Sequence, residues 1–246
     1  MFLSSFCVDL LITKPYTFSR HVNSMEHHIT RTGDIKNIRV EAMGSSEYIK
    51  PLRLHFEQLG KKRFWDAVLT HNCVSAVIYH RNRNTLVLVK QFRPAVYIHM
   101  AQMMGNHSET IDTIKYPISL GMTYELCAGI MDQILSPEET MVKEIKEEIG
   151  YSVQADRLER ITGCRSGVGI AGYFSTYYYC EVNDSMKVSS GGGNPNELEF
   201  IEVVYVPVEE LRYFMFDESR PKPPSLIFGI LWFLQYKLPK LTGHKA

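Results

Sequence analysis

The hydrophobic positions of the chain fall into short runs and spaced stripes, and the two patterns predict different elements. Short runs rich in β-branched and aromatic residues predict strands. Two pairs of such runs are joined by short polar segments and predict hairpins, PLRLHFEQ with RFWDAVLT and then CVSAVIYH with TLVLVKQF. Further strands are predicted in YELCAG, RLERITGC, YFSTYYYCEV and LEFIEVVYVP.

One stretch between the predicted strands has the spacing of an amphipathic helix. Ser136 can cap its start, Pro137 suits its first position, and Glu139 completes a capping box with Ser136. Gly150 is typical of a helix end. The buried stripe is predicted to consist of Met141, Val142, Ile145 and Ile149. Two more helices are predicted near the end of the chain, in VEELRYFMF and SLIFGILWFLQYKL.

Strands and helices that alternate in this way predict an α/β fold, in which a mixed β-sheet lies between helices on both faces in an α/β/α arrangement. The first hairpin is predicted to be a separate subdomain over residues 45–71, before a main domain over residues 72–240. Residues 97–122 have no clear periodicity and are predicted to form a long insertion loop. Residues 1–40 are predicted to be a disordered extension.

The charge and cysteine content narrow the class of protein. Lysine plus arginine and aspartate plus glutamate number 27 each, so no basic surplus indicates a nucleic-acid or membrane partner. Five cysteines, an odd number without a CxxC pair, indicate neither a disulfide framework nor a zinc site. We therefore expect an intracellular, cytoplasmic protein. The first residues, MFLSSFCVDLLIT followed by KPYTFSRHVNS, leave a mitochondrial location as the alternative.

Three glutamates are crowded into the second half of the predicted helix 136–150. Glu144, Glu147 and Glu148 are related by spacings of three and four residues, so they lie on one face, where like charges repel. One interpretation is a solvated face with salt bridges to Lys143. The other is a site for a divalent cation, because hard oxygen ligands suit Mg²⁺ or Mn²⁺. The residues before the helix favour the second interpretation.

The spacing between Gly129 and these glutamates has the form G-x14-E-I-x-E-E-x-G. This resembles the Nudix box, the signature of hydrolases that split a nucleoside diphosphate linked to another moiety. Two positions depart from the family pattern, Leu135 where the family has Glu and Lys143 where it has Arg. Lysine keeps the charge but loses the bidentate fork of arginine. Neither departure removes a metal-binding acid, so the resemblance implies a Nudix fold with its metal site retained.

The resemblance extends over residues 48–240 and is carried by KRFWDAVLTH, LVLVKQFRPAVY, ELCAGIMDQ, SGVGIAG and IFGILWFL. These segments are similar to those of ADP-sugar and UDP-sugar diphosphatases, and most similar to the UDP-sugar enzymes of animals. The resemblance implies Mg²⁺-dependent hydrolysis of the diphosphate of a nucleotide sugar, with Mn²⁺ as the alternative ion. It also implies a homodimer in which the first hairpin exchanges contacts with the partner chain.

The resemblance also implies roles for individual residues where the motifs match. The implied metal ligands are Glu144, Glu147, Glu148, Glu199 and the backbone carbonyl of Ala128. Glu197 is the implied base that activates the attacking water, and Glu148 is counted with it as catalytic. Two residues apart on a predicted extended segment, Glu197 and Glu199 would face the same side. The implied substrate contacts are Arg93 to the diphosphate or sugar, Trp65 to the base, and Gly129 of the box.

The implied substrate is UDP-glucose, which water would split into UMP and glucose 1-phosphate. ADP-ribose, giving AMP and ribose 5-phosphate, is the alternative substrate. ADP-ribose-specific relatives carry a proline after the box, where this chain has Ser166, Gly167 and Val168, and that difference favours UDP-glucose. A non-catalytic nucleotide-sugar sensor is the alternative of another class, and only the departures at Leu135 and Lys143 support it.

Overall fold

The computed structural model describes residues 35–46, 48–131, 134–197 and 199–243. Most of the predicted extension, residues 1–34, lies outside these ranges, but its end contacts the main domain. The Ile38 carbonyl accepts a hydrogen bond from the N–H of Ile111 at 3.1 Å, and the N–H of Val40 donates to the Glu109 carbonyl at 2.7 Å. Because Ile38 and Val40 pack against a buried apolar cluster, the predicted disordered extension of residues 1–40 is too long.

The first predicted hairpin is confirmed and forms a two-stranded sheet of its own. Strand β1 covers Lys50–Gln58 and pairs antiparallel with β2, Lys61–Leu69. Leu59 and Gly60 make the turn with φ angles of 53° and 71°, a conformation that two-residue hairpin turns require. The N–H of Val68 donates to the Ile170 carbonyl at 2.8 Å and so joins the hairpin to the main domain.

The main domain contains a mixed sheet, as the sequence predicts. The sheet has seven strands: β3 Cys73–His80, β4 Thr85–Phe92, β5 Met122–Glu125, β6 Cys127–Ile130, β7 Glu159–Arg165, β8 Phe174–Val182 and β9 Ile201–Pro207. Its central path runs β5-β4-β3-β8-β7, while β6 also pairs with β3 and β9 also pairs with β4. Strands β3 and β8 are parallel, and the other pairs are antiparallel. The segment YELCAG, predicted as one strand, is divided at Leu126 between β5 and β6.

Helices cover both faces of this sheet, which confirms the predicted α/β/α layers. On one face α2, Pro137–Ile149, buries its predicted stripe against the strands through Met141, Ile145 and Ile149. The other face is covered by α3 (Leu211–Phe216), α4 (Pro224–Trp232) and, after a π-turn, α5 (Leu238–Thr242). No helix within the described ranges combines the length and apolar character needed to span a membrane.

The prediction of a long insertion loop holds for residues 104–117 but is wrong at both ends of the range 97–122. The structure has helix α1 at Pro94–Met103 and a 3₁₀ turn at Ile118–Gly121. Helix α1 buries only Tyr97 and Ala101 and carries apolar residues on its other sides, so it lacks the periodicity from which a helix is predicted. A proline at its first position is the remaining start signal.

Candidate active site

Helix α2 carries the predicted metal-binding acids, and both of its ends are fixed by local hydrogen bonds. The Ser136 hydroxyl accepts from the N–H of Glu139 at 3.2 Å, and the Glu139 carboxylate accepts from the N–H of Ser136 at 2.8 Å. This is the predicted capping box. Gly150 ends the helix with a φ of 74° in the left-handed region. The acids are therefore presented on a rigid helix.

Glu144 lies directly over Gly129 of strand β6. A Cβ atom at residue 129 would overlap the Cγ, Cδ and Oε1 atoms of Glu144, so any other residue would force this carboxylate out of its present position. Burial raises the pKa of Glu144 to about 7; Lys143 opposes this shift, while the charges of Glu199, Glu147 and Glu197 add to it. Gly129 thus has a steric role, which is to leave room for the Glu144 side chain.

Glu148 is the most buried of the acids, with 3 % of its surface exposed. Its Oε2 accepts a hydrogen bond from the N–H of Ala128 at 3.0 Å, and the thiol of Cys127 also bonds to it. Burial raises the pKa of Glu148 to about 8; these two hydrogen bonds oppose that shift, and the charges of Glu144 and Glu199 reinforce it. Without a cation, ionising this pair of carboxylates is therefore unfavourable.

Glu147 lies apart from this pair, on the outer side of α2. Its carboxylate is 3.7 Å from the Lys143 ammonium, an i,i+4 ion pair. Both side chains line a groove of about 650 Å³ between the helix and residues 189–195. The structure thus brings Glu144 and Glu148 together over β6, while Glu147 contributes to the same site chiefly through its charge.

The loop after strand β8 is bound to the last turn of α2 through its backbone. The N–H of Gly192 donates to the Glu148 carbonyl at 2.8 Å, and the N–H of Gly193 donates to the Glu147 carbonyl at 3.1 Å. These bonds satisfy carbonyls that a helix end leaves without a partner. Gly191 has a φ of 70°, and a Cβ there would overlap the Glu148 carbonyl. The glycine-rich segment therefore lies against the helix because it has no side chains.

Asn194 organises the two acids of this loop. Its side-chain amide donates to Glu197 at 3.0 Å, and its backbone N–H donates to Glu199 at 3.2 Å. The predicted extended segment is wrong at this point, because residues 195–197 form a 3₁₀ turn and β9 begins only at Ile201. The turn arises because the N–H groups of Glu197 and Glu199 both donate to the carbonyl of Asn194. Glu199 is half-buried and Glu197 is exposed.

Arg93, the predicted diphosphate contact, is held by a bidentate ion pair. Its Nε and Nη2 donate to the two carboxylate oxygens of Glu125 at 2.8 and 2.7 Å. The Thr123 hydroxyl donates to the same carboxylate at 2.6 Å. Glu125 raises the pKa of Arg93, and the charges of Glu148 and Glu199 add to that rise, so Arg93 lies near the acids of α2 and the loop.

Trp65, the predicted base contact, lies on strand β2 of the hairpin. Its indole Nε1 donates to the Gly169 carbonyl at 2.9 Å, and 49 % of the residue is exposed. The structure therefore places Trp65 against the loop between β7 and β8. Its predicted stacking on a base stays a prediction.

Two comparisons bear on these residues. The model of the NUDIX domain family matches residues 69–226, which is well over half of the chain and includes α2, its acids and Glu199. The chain is also 41 % identical over 216 residues to uridine diphosphate glucose pyrophosphatase of Bos taurus, covering 84 % of this chain and 97 % of that protein. The chain belongs to the NUDIX domain family.

Two other relatives of this NUDIX protein have names that describe action on nucleotide sugars. The uridine diphosphate glucose pyrophosphatase of Mus musculus is 36 % identical over 217 residues, 85 % of this chain and 98 % of that protein. A GDP-mannose pyrophosphatase of Klebsiella pneumoniae is 32 % identical over 140 residues, 56 % of this chain and 59 % of that protein.

Nudix hydrolases generally require a divalent metal ion, and the acids of this NUDIX protein fit one. Within the described ranges, no three His, Cys, Asp or Glu side chains converge closely enough to enclose a metal by themselves. Burial raises the pKa of Glu144 and of Glu148, and the charges of neighbouring acids add to both shifts, which is a repulsion that a cation would relieve. Mg²⁺ commonly completes its coordination sphere with waters and substrate oxygens, so two carboxylates are enough ligands from the protein.

Sequence reasoning missed two residues that the structure places at the site. Glu125 lies in the quoted segment ELCAGIMDQ, but its partner Arg93 is 32 residues away, so no local pattern indicates the pair. Asn194 precedes two predicted acids in NPNELEF. Asparagine commonly forms hydrogen bonds with the backbone and side chains of residues shortly after it, and this preference was the signal in the sequence for a turn here.

Proposed function

We propose that this NUDIX protein hydrolyses the diphosphate bond of nucleoside diphosphate sugars, with UDP-glucose as its substrate and Mg²⁺ as its ion. The observation that carries the proposal is the pair of carboxylates on α2, half-buried Glu144 over Gly129 and buried Glu148 bonded to the N–H of Ala128. The names of the relatives support a nucleotide-sugar substrate, and those related over most of the chain support uridine as the base.

Each element of the site has a part in this reaction. Glu144 and Glu148 on α2, with Glu199 of the loop, would hold the ion. When bound, the ion would neutralise the diphosphate and lower the pKa of an attacking water. Glu197 is exposed and oriented by Asn194, so it would accept the proton from that water.

Arg93 would donate its remaining N–H groups to the diphosphate. The water oxygen forms a bond to one phosphorus while the bridging oxygen leaves with the other phosphate. The products of UDP-glucose would be UMP and glucose 1-phosphate.

A product assay tests this function. Purified protein would be given UDP-glucose, GDP-mannose and ADP-ribose separately in Mg²⁺, with and without EDTA. We expect UMP and glucose 1-phosphate from UDP-glucose at the highest kcat/KM, and no product in EDTA. Faster release of AMP from ADP-ribose would keep the chemistry and overturn the substrate. Failure to hydrolyse any of the three would overturn the function.

We further propose that the hairpin mediates a homodimer. Several apolar residues on its two strands are about half exposed: Leu54, Phe56, Phe64, Trp65 and Leu69. Leu54 and Trp65 are cross-strand partners, and Phe56 and Leu69 lie on the same face as this pair, whereas Phe64 is paired with His55 on the opposite face. An exposed apolar face such as that of the first four residues is typical of an interface. Light scattering should give twice the mass of 28.3 kDa, and Phe56→Glu should give the monomer mass. A wild-type mass of one chain at micromolar concentration would contradict the dimer.

A further inference from the structure

The ion pair between Arg93 and Glu125 is bidentate, and we call it the brace. Two N–H groups of Arg93 meet the two oxygens of one carboxylate at 2.8 and 2.7 Å, the side-by-side arrangement that is the strongest for this pair of groups. The Glu125 side chain is 14 % exposed, whereas 46 % of the Arg93 side chain is exposed. The carboxylate is thus the fixed partner, and the guanidinium extends from it towards solvent.

Glu125 is itself held by Thr123 and by the sheet. The Thr123 hydroxyl donates to Oε1 of Glu125 at 2.6 Å, so this oxygen accepts bonds from both Thr123 and Arg93. Both residues belong to β5, where Glu125 is paired with Val89 of β4. The backbone of Arg93 is fixed as well, since its N–H donates to the Gly121 carbonyl at 2.8 Å.

This brace leaves part of Arg93 available for a ligand. A guanidinium group has five N–H donors in a fixed plane, and Glu125 occupies two of them. The remaining donors are those of Nη1 and the outer N–H of Nη2, which point away from Glu125. Arg93 also lies in the field of Glu148 and Glu199, which attract its charge. A guanidinium without the brace would be drawn towards those carboxylates and away from an incoming anion.

We propose that Glu125 is a positioning residue, supported by Thr123, that holds Arg93 in the orientation that binds the substrate diphosphate. This inference rests on the proposed function, because the diphosphate is the group that Arg93 would contact. Holding the cation in place before the substrate arrives lowers the ordering cost of binding. Glu125 therefore acts on affinity through Arg93 and does not itself touch the substrate.

A double-mutant cycle separates this role from that of an ordinary structural ion pair. Glu125→Gln, Arg93→Ala and the double variant would be compared with wild type in steady-state kinetics with UDP-glucose. We expect Glu125→Gln to raise KM about ten-fold, the effect of a lost charge-assisted hydrogen bond, and to change kcat less than about three-fold. Arg93→Ala should raise KM more. The double variant should match Arg93→Ala within about two-fold, because Glu125 has nothing left to position.

Two further variants complete the test. Thr123→Val should raise KM in the same direction but less than Glu125→Gln. Asp184→Asn is the matched control, because Asp184 pairs with Arg83 at the opposite end of β4 and should leave KM unchanged. Effects of Glu125→Gln and Arg93→Ala that multiply fully in the double variant would overturn the inference. So would a Glu125→Gln variant that loses thermal stability but keeps the wild-type KM.

The failure of the inference is distinguishable from the failure of the proposed function. Turnover of UDP-glucose by wild type tests the function alone. If wild type shows none, the same cycle is measured on the dissociation constant of inorganic pyrophosphate by calorimetry, where the same lack of additivity is expected. Additive effects on pyrophosphate affinity would then overturn the positioning role.

Discussion

At the scale of single residues, the site depends on the absence of a side chain at Gly129. An added Cβ would overlap the carboxylate of Glu144, so Gly129→Ala should displace that side chain. We expect kcat/KM to fall at least about a hundred-fold, as even indirect changes at metal ligands cost up to that much. Gly44→Ala is the control, because a Cβ there meets no atom within 4 Å. Equal kinetics of the two variants would contradict the steric role of Gly129.

Replacing Glu148 by glutamine should raise the stability of the protein and lower its activity. Its burial raises its pKa to about 8, which means that the charged form is unfavourable in the folded chain without metal. Glu148→Gln removes that charge and keeps an oxygen to accept the hydrogen bond from Ala128. We therefore expect a higher Tm in EDTA, together with a loss of kcat by at least about a hundred-fold in Mg²⁺. Melting curves and turnover on one preparation would check both, and a lower Tm would contradict the interpretation.

At the scale of elements, the capping box stabilises α2 without taking part in the chemistry. Ser136→Ala removes the hydroxyl that accepts from Glu139, which should cost about 1 kcal/mol. For a chain of this size that is a fall in Tm of about 2–4 °C, with kcat within about two-fold of wild type. Ser136→Asp, which can cap equally well, should restore the Tm. An unchanged Tm in the alanine variant would show that this cap is dispensable.

The loop that carries Glu197 and Glu199 should depend on its close approach to α2. Gly191→Ala adds both a strained backbone, at a φ of 70°, and an overlap with the Glu148 carbonyl. Gly60→Ala, at a φ of 71° in the hairpin turn, adds the same strain in open space. We expect Gly191→Ala to lower both Tm and kcat. Gly60→Ala should lower only Tm, and by less than Gly191→Ala does. Matching losses in the two variants would rule out a role for the close approach.

Elements with strong local signals could be predicted from the sequence, and those without could not. Helix α2 has a cap, a stripe and a terminal glycine, and it begins and ends where these signals predict. Helix α1 lacks a stripe because it buries only Tyr97 and Ala101. The brace between Arg93 and Glu125 joins residues far apart in sequence, and the turn at Asn194 replaces a predicted extended segment. The brace depends on a tertiary contact that no local pattern encodes, whereas the turn at Asn194 is made by local hydrogen bonds and the asparagine was its only sequence signal.

At the scale of the whole molecule, the buried acids link stability to pH. The folded-state pKa values of Glu144 and Glu148 are raised from 4.5 to about 7 and about 8, so the folded chain binds more protons than the unfolded chain between these values. The contribution of these two groups to the free energy of unfolding is therefore fully present below about pH 4.5 and is lost as pH rises through 7 to 8. His80 has the opposite effect on stability, because burial lowers its pKa. Above its usual pKa of 6.5, however, His80 is neutral.

We accordingly expect the Tm in EDTA to fall between pH 6.5 and 8.5. A Glu144→Gln, Glu148→Gln double variant should lose most of that fall, because the two carboxylates are its cause. Saturating Mg²⁺ should also remove it in wild type, since the cation favours the ionised carboxylates. Calorimetry at both pH values checks all three results. A wild-type Tm in EDTA that rises over this range would contradict the assigned electrostatics.

The central claim is that the carboxylates of α2 hold a divalent ion, and Mn²⁺ binding measured by electron paramagnetic resonance tests it most directly. Wild type, Glu148→Gln and Glu209→Gln would be titrated in parallel, the last as an exposed glutamate outside the site. We predict that wild type and Glu209→Gln bind Mn²⁺ with the same affinity, and that Glu148→Gln binds at least about ten-fold more weakly. Equal binding by all three proteins would contradict the account.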